Sequence, residues 1–402
     1  MKRSSTRRLS PQTVRLAILI WMGLVVVAGI AVFAVLMVTL NNRSERLARV
    51  DPTTTPTIQP QAAVPTVSPT ALSPAPSGSA TPTLIPTPST VGLPESGLEL
   101  GGQVPGYIAH RDVMVSAGMT WVKYQIKWNP TTDITQAEQN VTEGHANGFK
   151  VLLSISGDPY PQQPIDYASY IAYLTEVARL KPDAIEIWNE MNLDREWPRG
   201  QFSPADYVNN MLAPAYRAIK SVSPQTSVII GALAPTGVDD MVIAMADQRY
   251  VQGLYAAGAA NYADCIGVHH NAGTTSPSVR SGRPEGNHYS WYFLPTIEVY
   301  YNGMNGALPV CLTEFGYVTP EGFDTPIPAN FAWGADNTVA EQAAWLAEGV
   351  DIAQQLGYVR LVIIWNVDFT TWEENDPQGG YAILRPDGTC PACAALYAAL
   401  ND

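Results

Sequence analysis

The sequence predicts an α/β fold: a (β/α)8 barrel, preceded by a single transmembrane helix and a disordered Pro/Thr/Ser-rich linker. Three observations predict it. The chain opens with basic residues and an uncharged apolar run from Leu16 to Leu40. A tract dominated by Pro, Ser and Thr follows. Beyond that tract, short apolar runs alternate with amphipathic stretches, the pattern of βα units around a parallel sheet.

The first element is the apolar run. Its 25 residues carry no charge and suffice for a helix to cross a ~30 Å hydrocarbon core. Lys2, Arg3, Arg7, Arg8 and Arg15 precede it. That basic excess places residues 1–15 in the cytoplasm and the body outside. A cleavable signal peptide has a shorter apolar stretch and a small-residue cleavage site. This run ends in Thr39-Leu40-Asn41, so residues 16–40 read as an uncleaved anchor, with cleavage and release as the alternative.

The second element is the spacer. Residues 51–90 contain ten Pro and fifteen Ser or Thr among forty positions. Such a segment cannot bury enough apolar surface to offset chain entropy, so residues 41–92 are expected to stay extended. The remaining 93–402 suit one large barrel domain. Residues 1–50 hold eight Lys/Arg and one Glu, whereas residues 51–402 hold fifteen Lys/Arg and thirty-five Asp/Glu. A body this acidic repels nucleic acid and anionic lipid alike but tolerates neutral ligands. The expectation is a monomer that meets the membrane only through its N-terminal helix.

The barrel strands are expected at Leu98–Gln103, Trp121–Ile126, Lys150–Ser156, Ala184–Trp188, Ser227–Leu233, Cys265–His269, Val310–Thr313 and Arg360–Trp365. Helices are expected between them, among them Asp166–Arg179, Pro204–Ser221 and Thr338–Leu356. Eight strands close a barrel. The rival, an open doubly wound sheet, lacks a GxGxxG after the first strand. Cys390 and Cys393 form a CxxC with no second pair to suggest zinc, so a structural disulfide or two thiols is expected. Cys265 and Cys311, on neighbouring strands, read as small buried hydrophobes.

Nearly every strand runs into polar or aromatic residues: Lys127-Trp128, Gly157-Asp158, Asn189-Glu190, His269-His270-Asn271, Glu314 and Trp365-Asn366. In such barrels chemistry sits at these C-terminal strand ends. Two signals stand out. An alternating strand ends in Trp188-Asn189-Glu190-Met191-Asn192, and another ends in Thr313-Glu314-Phe315-Gly316. Two carboxyl groups at one mouth are what cleavage of a glycosidic bond requires, one to donate a proton and one to attack or position water. His269 and His270 face opposite sides of their strand, so one of them points into the barrel. No metal site is expected, since the five His are scattered and the adjacent pair lacks the i, i+4 spacing of a helical zinc site.

With Asn-Glu after strand four and Glu after strand seven, the sequence resembles the clan of retaining (β/α)8 glycoside hydrolases. Trp188-Asn189-Glu190-Met191-Asn192-Leu193 with Trp197, and Thr313-Glu314-Phe315-Gly316, are most similar to family 39 and its family 5 relatives. The resemblance covers roughly residues 98 to 400. It implies that Glu190 is the acid/base and Glu314 the nucleophile, with Asn189 bonding the sugar 2-hydroxyl. It implies that His269 orients the nucleophile and that Trp365 is the platform under the cleaved sugar. Trp128 is a further candidate for sugar stacking. Lys123 stands where the family often has Arg, Asn271 where it has an aromatic, and Met191 where it has Pro. The implied hydrolysis of poly- or oligosaccharide needs no cofactor. The stretches Asn271–Pro295 and Tyr317–Asn337 are expected to wall a cleft or close a pocket over the site. A sugar-binding protein without turnover and a transglycosidase are the alternative functions.

Overall fold

The computed structural model describes residues 93–401 apart from 95–96, 284–285 and 374–375. The expected cytoplasmic tail, transmembrane run and linker lie outside the described residues. Among the described residues no helix is long and apolar enough to cross a membrane.

Eight parallel strands close into a barrel in sequence order, with β8 hydrogen-bonded back to β1. The strands are β1 Glu99–Gln103, β2 Trp121–Trp128, β3 Lys150–Gly157, β4 Ala184–Ile187, β5 Ser227–Leu233, β6 Cys265–His270, β7 Val310–Phe315 and β8 Val359–Ile364. The helices that follow them in turn are α1 Arg111–Ser116, α2 Thr135–Ala146, α3 Tyr167–Arg179, α4 Ala213–Val222, α5 Asp247–Ala256, α6 Phe293–Gly303, α7 Val339–Leu356 and α8 Pro391–Asn401. The barrel of the sequence reading is therefore the observed fold.

Local chemistry explains where elements start and stop. Asp166 caps α3 by accepting from Ser169 N–H. Thr338 and Glu341 form a reciprocal capping box on α7, which ends at Gly357 with φ 67°. The helix expected over Pro204–Ser221 is instead a short turn, Pro204–Asp206, then a π-helical stretch, Tyr207–Leu212, then α4. Pro214, in the first turn of α4, has no N–H for residue 210, so the regular ladder is interrupted there.

Side-chain alternation divides each strand between two environments. On β2, Val122, Tyr124, Ile126 and Trp128 pack under the helices as part of the main core. Trp121 instead joins Leu93, Leu152, Ala184, Ile229, Cys265, Cys311, Leu361 and Ile363 in a separate apolar cluster that floors the barrel. Above this floor the interior turns polar, with Lys123, Ser154, Glu186 and Thr313 fully buried.

Cys265 and Cys311 are not free hydrophobes. They form a disulfide across β6 and β7, with Cα atoms 6.0 Å apart. Gly267 pairs with Cys311, so both cysteines face the barrel axis from adjacent strands within disulfide reach. Cys390 and Cys393 are also bonded, at the start of α8. Asn140, in a possible glycosylation sequon, is buried and donates to the Gly106 carbonyl, so it is not presented to solvent.

Candidate active site

The position of Glu314 depends on an irregularity between β6 and β7. Gly267 pairs with Cys311 and Val268 with Leu312, but His269 then pairs with Glu314 rather than Thr313. Because side chains alternate, that one-residue shift turns Glu314 to the same face as His269. Gly267 gives room beneath: a Cβ there would lie 2.5 Å from the Ile230 carbonyl and 3.1 Å from Glu186 Oε1.

Glu190 is aimed by a sharp turn after β4. Trp188 and Glu190 hold φ values of 72° and 42°, a left-handed conformation that side-chain-bearing residues rarely adopt and that persists where surroundings enforce it. The enforcement is visible. Trp188 N–H donates to the Ile155 carbonyl at 3.0 Å, and Glu190 N–H to the Ala232 carbonyl at 2.8 Å. Buried Asn192 accepts from Ala234 N–H and donates to the carbonyls of Ala234 and Met245. Behind the turn, Trp128, Tyr170, Trp188, Trp197 and Tyr207 pack edge to face in sequence. The hydroxyls of Tyr170 and Tyr207 donate to the carbonyls of Ile155 and Ile187.

His269, not His270, points into the mouth. Its Nδ1 lies 3.0 Å from Glu190 Oε1 and 3.7 Å from Glu314 Oε2. Those two oxygens are thus no farther apart than the sum of the two legs, 6.7 Å. Glu190 keeps 22% of its side chain exposed and Glu314 only 9%, so Glu190 is the carboxyl nearer solvent. Lys123, with no exposure, donates from Nζ to Glu314 Oε1 at 3.1 Å and to the Thr313 carbonyl at 3.0 Å. Asn271 donates to Glu314 Oε2 at 2.9 Å. Tyr381 in turn donates to the Asn271 carbonyl at 2.7 Å.

These contacts set the charges. Burial pulls the His269 imidazole down, but the carboxylates of Glu314 and Glu190 outweigh it and raise its pKa. Burial pushes Glu314 up, but the positive His269 and Lys123 and the bonds from Lys123 and Asn271 outweigh that and lower it. Glu314 is held as an anion. His270 faces the other way, among Phe293, Phe315 and Tyr317. Burial alone lowers its pKa to about 3.

A cavity of about 370 Å³ opens over the pair and is lined by Asn189, Glu190, Asn271, Glu314 and Trp365. The structure thus brings together seven of the residues singled out from sequence, five lining the cavity and His269 and Lys123 beneath. The exception is Trp128. Alternation along β2 puts Lys127 on the cavity and turns Trp128 into the aromatic ladder, where it is 4% exposed. The cavity also contains Lys127, and residues that sequence reasoning missed: Arg195, Glu196, Phe331, Asp376, Gln378 and Tyr381. Glu196 is paired with Lys127 at 3.0 Å. Burial raises its pKa, with repulsion from Glu190 adding to that and attraction to Lys127 opposing it. Lys127 was legible as a polar strand end; the others come from long loops without a pattern. Among the described residues no group of three or more His, Cys, Asp and Glu is placed to hold a metal ion.

No protein-family model and no curated protein matches the chain. Solved structures do share its fold. A family 39 glycoside hydrolase from Bacteroides cellulosilyticus superposes with a TM-score of 0.55 at 17% identity, over 76% of this chain and 64% of that one, so the chain spans less than two thirds of that enzyme. A glucosidase from Croceicoccus marinus gives 0.54 at 14% identity over 78% and 69% of the two chains. The GH53 catalytic domain of Ignisphaera aggregans gives 0.52 at 15% identity over 77% and 98%. What this chain shares with all three is the fold.

Proposed function

We propose that the chain is a retaining glycoside hydrolase acting on poly- or oligosaccharides, with Glu314 as nucleophile and Glu190 as acid/base. The observation that carries this reading is the pair of carboxyls flanking one imidazole, no more than 6.7 Å apart at the facing oxygens. Double displacement uses carboxyl groups about 5–5.5 Å apart, whereas inversion uses roughly 6.5–9.5 Å to admit water between them. The bound admits the first spacing.

The roles follow from the surroundings. Glu314 is anionic, buried and fixed by Lys123 and Asn271, as an attacking carboxylate must be. Glu190 is the more exposed, within reach of an arriving or departing oxygen, and protonates the leaving group before activating water. Asn189 lines the cavity with its Oδ1 unpartnered in the protein and is the group we assign to the sugar 2-hydroxyl. Trp365 offers an indole face to the ring. His269 bonds Glu190 directly and stays close to Glu314, so it orients both. The basic N-terminal segment and uncharged run support a single-pass anchor that leaves this body outside the cell. The proposed substrate is therefore a carbohydrate near the cell surface.

The test uses 2,4-dinitrophenyl glycosides, whose leaving group needs no protonation. Wild type turns over at least one sugar of a panel. Glu314→Ala is inactive, whereas Glu190→Ala still releases dinitrophenol in a burst and is rescued by azide. A Glu190→Ala variant without burst or rescue removes the acid/base role. Polysaccharide binding without any cleavage moves the assignment to the sugar-binding alternative.

A further inference from the structure

Glu186 lies in the middle of β4, fully buried, and the mechanism above does not use it. Its Oε1 accepts from the Thr313 hydroxyl at 2.7 Å and from Ala232 N–H at 3.1 Å. Its Oε2 has no hydrogen-bond partner and stands 3.6 Å from Lys123 Nζ. A carboxylate this deep is costly unless a cation and donors compensate it. Lys123 is the cation within reach. The ammonium therefore sits between two carboxylates, Glu314 above and Glu186 below.

The reaction changes only one of them. When Glu314 gives an electron pair to the anomeric carbon, the bond to the leaving oxygen breaks with its pair. That oxygen takes the proton of Glu190. Negative charge thus passes from Glu314, now a neutral ester, to Glu190. His269 Nδ1 waits 3.0 Å from Glu190 to meet the charge that arrives. Lys123 loses the partner on which its position depended. We propose that Glu186 is a positioning residue, which keeps Lys123 seated and compensated while the charge on Glu314 is absent. The proposal rests on the double-displacement reading.

The proposal separates the two half-reactions. Without the Glu186 charge, Lys123 belongs to Glu314 alone in the free enzyme and is stranded in the glycosyl-enzyme. Glycosylation then slows, while deglycosylation, which restores the Glu314 anion, does not. The titratable groups around Glu314 are Lys123 from β2, which links it to Glu186 on β4, His269 from β6, which links it to Glu190, and Tyr381 beyond β8. Removing one negative charge from that set moves the acidic limb of kcat/KM, which reports Glu314 in the free enzyme, to lower pH.

The experiment compares the full-length wild type with Glu186→Gln on the best dinitrophenyl glycoside, by pre-steady-state kinetics and pH profile. The expected result is a drop in the glycosylation rate on the order of ten- to a hundredfold, the scale seen when the partner behind an active group is lost. The burst disappears and the acidic limb shifts down. Equal slowing of both steps, or a limb that stays or moves up, overturns the proposal. If Glu186→Gln does not fold, Glu186→Asp carries the test, since its retreat from Lys123 moves the limb the same way by less. Wild type without turnover on any glycoside defeats the hydrolase reading itself. Active wild type with an unmoved limb defeats only the role of Glu186.

Discussion

The floor and the mouth of the barrel are built from the same strands and the same inward-facing positions, yet they obey opposite rules. At the floor Trp121, Leu152, Ile229, Cys265, Cys311 and Leu361 pack together without a charge. A few residues higher, Lys123, Glu186, His269 and Glu314 are packed just as deeply, and every charge needs its partner. One layer stabilises by excluding water. The other holds charges that would be more stable in water, and its fixed geometry is what the proposed chemistry would use. The contrast predicts that stability and activity are separable within a single strand.

The largest effect expected at the mouth is on rate. Glu314→Ala lowers kcat by at least about 10⁴-fold, as loss of a nucleophile does elsewhere, while the urea midpoint stays near that of wild type. A midpoint that collapses would mean that the charged layer also holds the fold together. At the floor the expectation reverses. Leu152→Ala costs about 2–5 kcal/mol through the cavity it leaves, and kcat/KM per folded molecule stays unchanged. A large loss of activity there would break the separation.

A smaller effect tests the packing behind the mouth. His270 is neutral in the fold because burial lowers its pKa to about 3, whereas the unfolded chain protonates it near 6.5. Between those values the unfolded state binds the extra proton, so stability falls as pH drops from about 6.5 toward 3, at ~1.4 kcal/mol per pH unit. His270→Phe, among Phe293, Phe315 and Tyr317, should flatten that slope in urea titrations at pH 4 and 7. An unchanged slope would assign the acid sensitivity to other groups. The smallest effect separates two tryptophans. Trp365→Phe should raise KM for the best substrate, while Trp128→Phe, in the ladder behind the turn, should leave kinetics unaltered.

The strands were legible to within a residue or two because apolar runs bounded by polar ends mark both their extent and the mouth. The places of Glu190 and Glu314 at the mouth were legible for the same reason, since each ends such a run. Glu186 was not, because an acidic residue inside an alternating strand reads as solvent-facing until the barrel closes around it. The choice between His269 and His270 needed the strand orientation. The register shift that aims Glu314 needed the β6–β7 pairing. Trp128 was misread because its alternation with Lys127 mattered more than its place at a strand end. The bond between Cys265 and Cys311 depends on diagonal neighbours across two strands, which spacing along the chain does not encode.

The central claim is that Glu190 and Glu314 act by double displacement, and the stereochemistry of the product tests it most directly. With the best glycoside in hand, proton NMR of the first minutes of hydrolysis reads the anomer released before mutarotation. The account predicts the configuration of the substrate, formed by two successive inversions at the anomeric carbon. An initial product of inverted configuration would contradict it, since that outcome requires water rather than Glu314 as the attacking group.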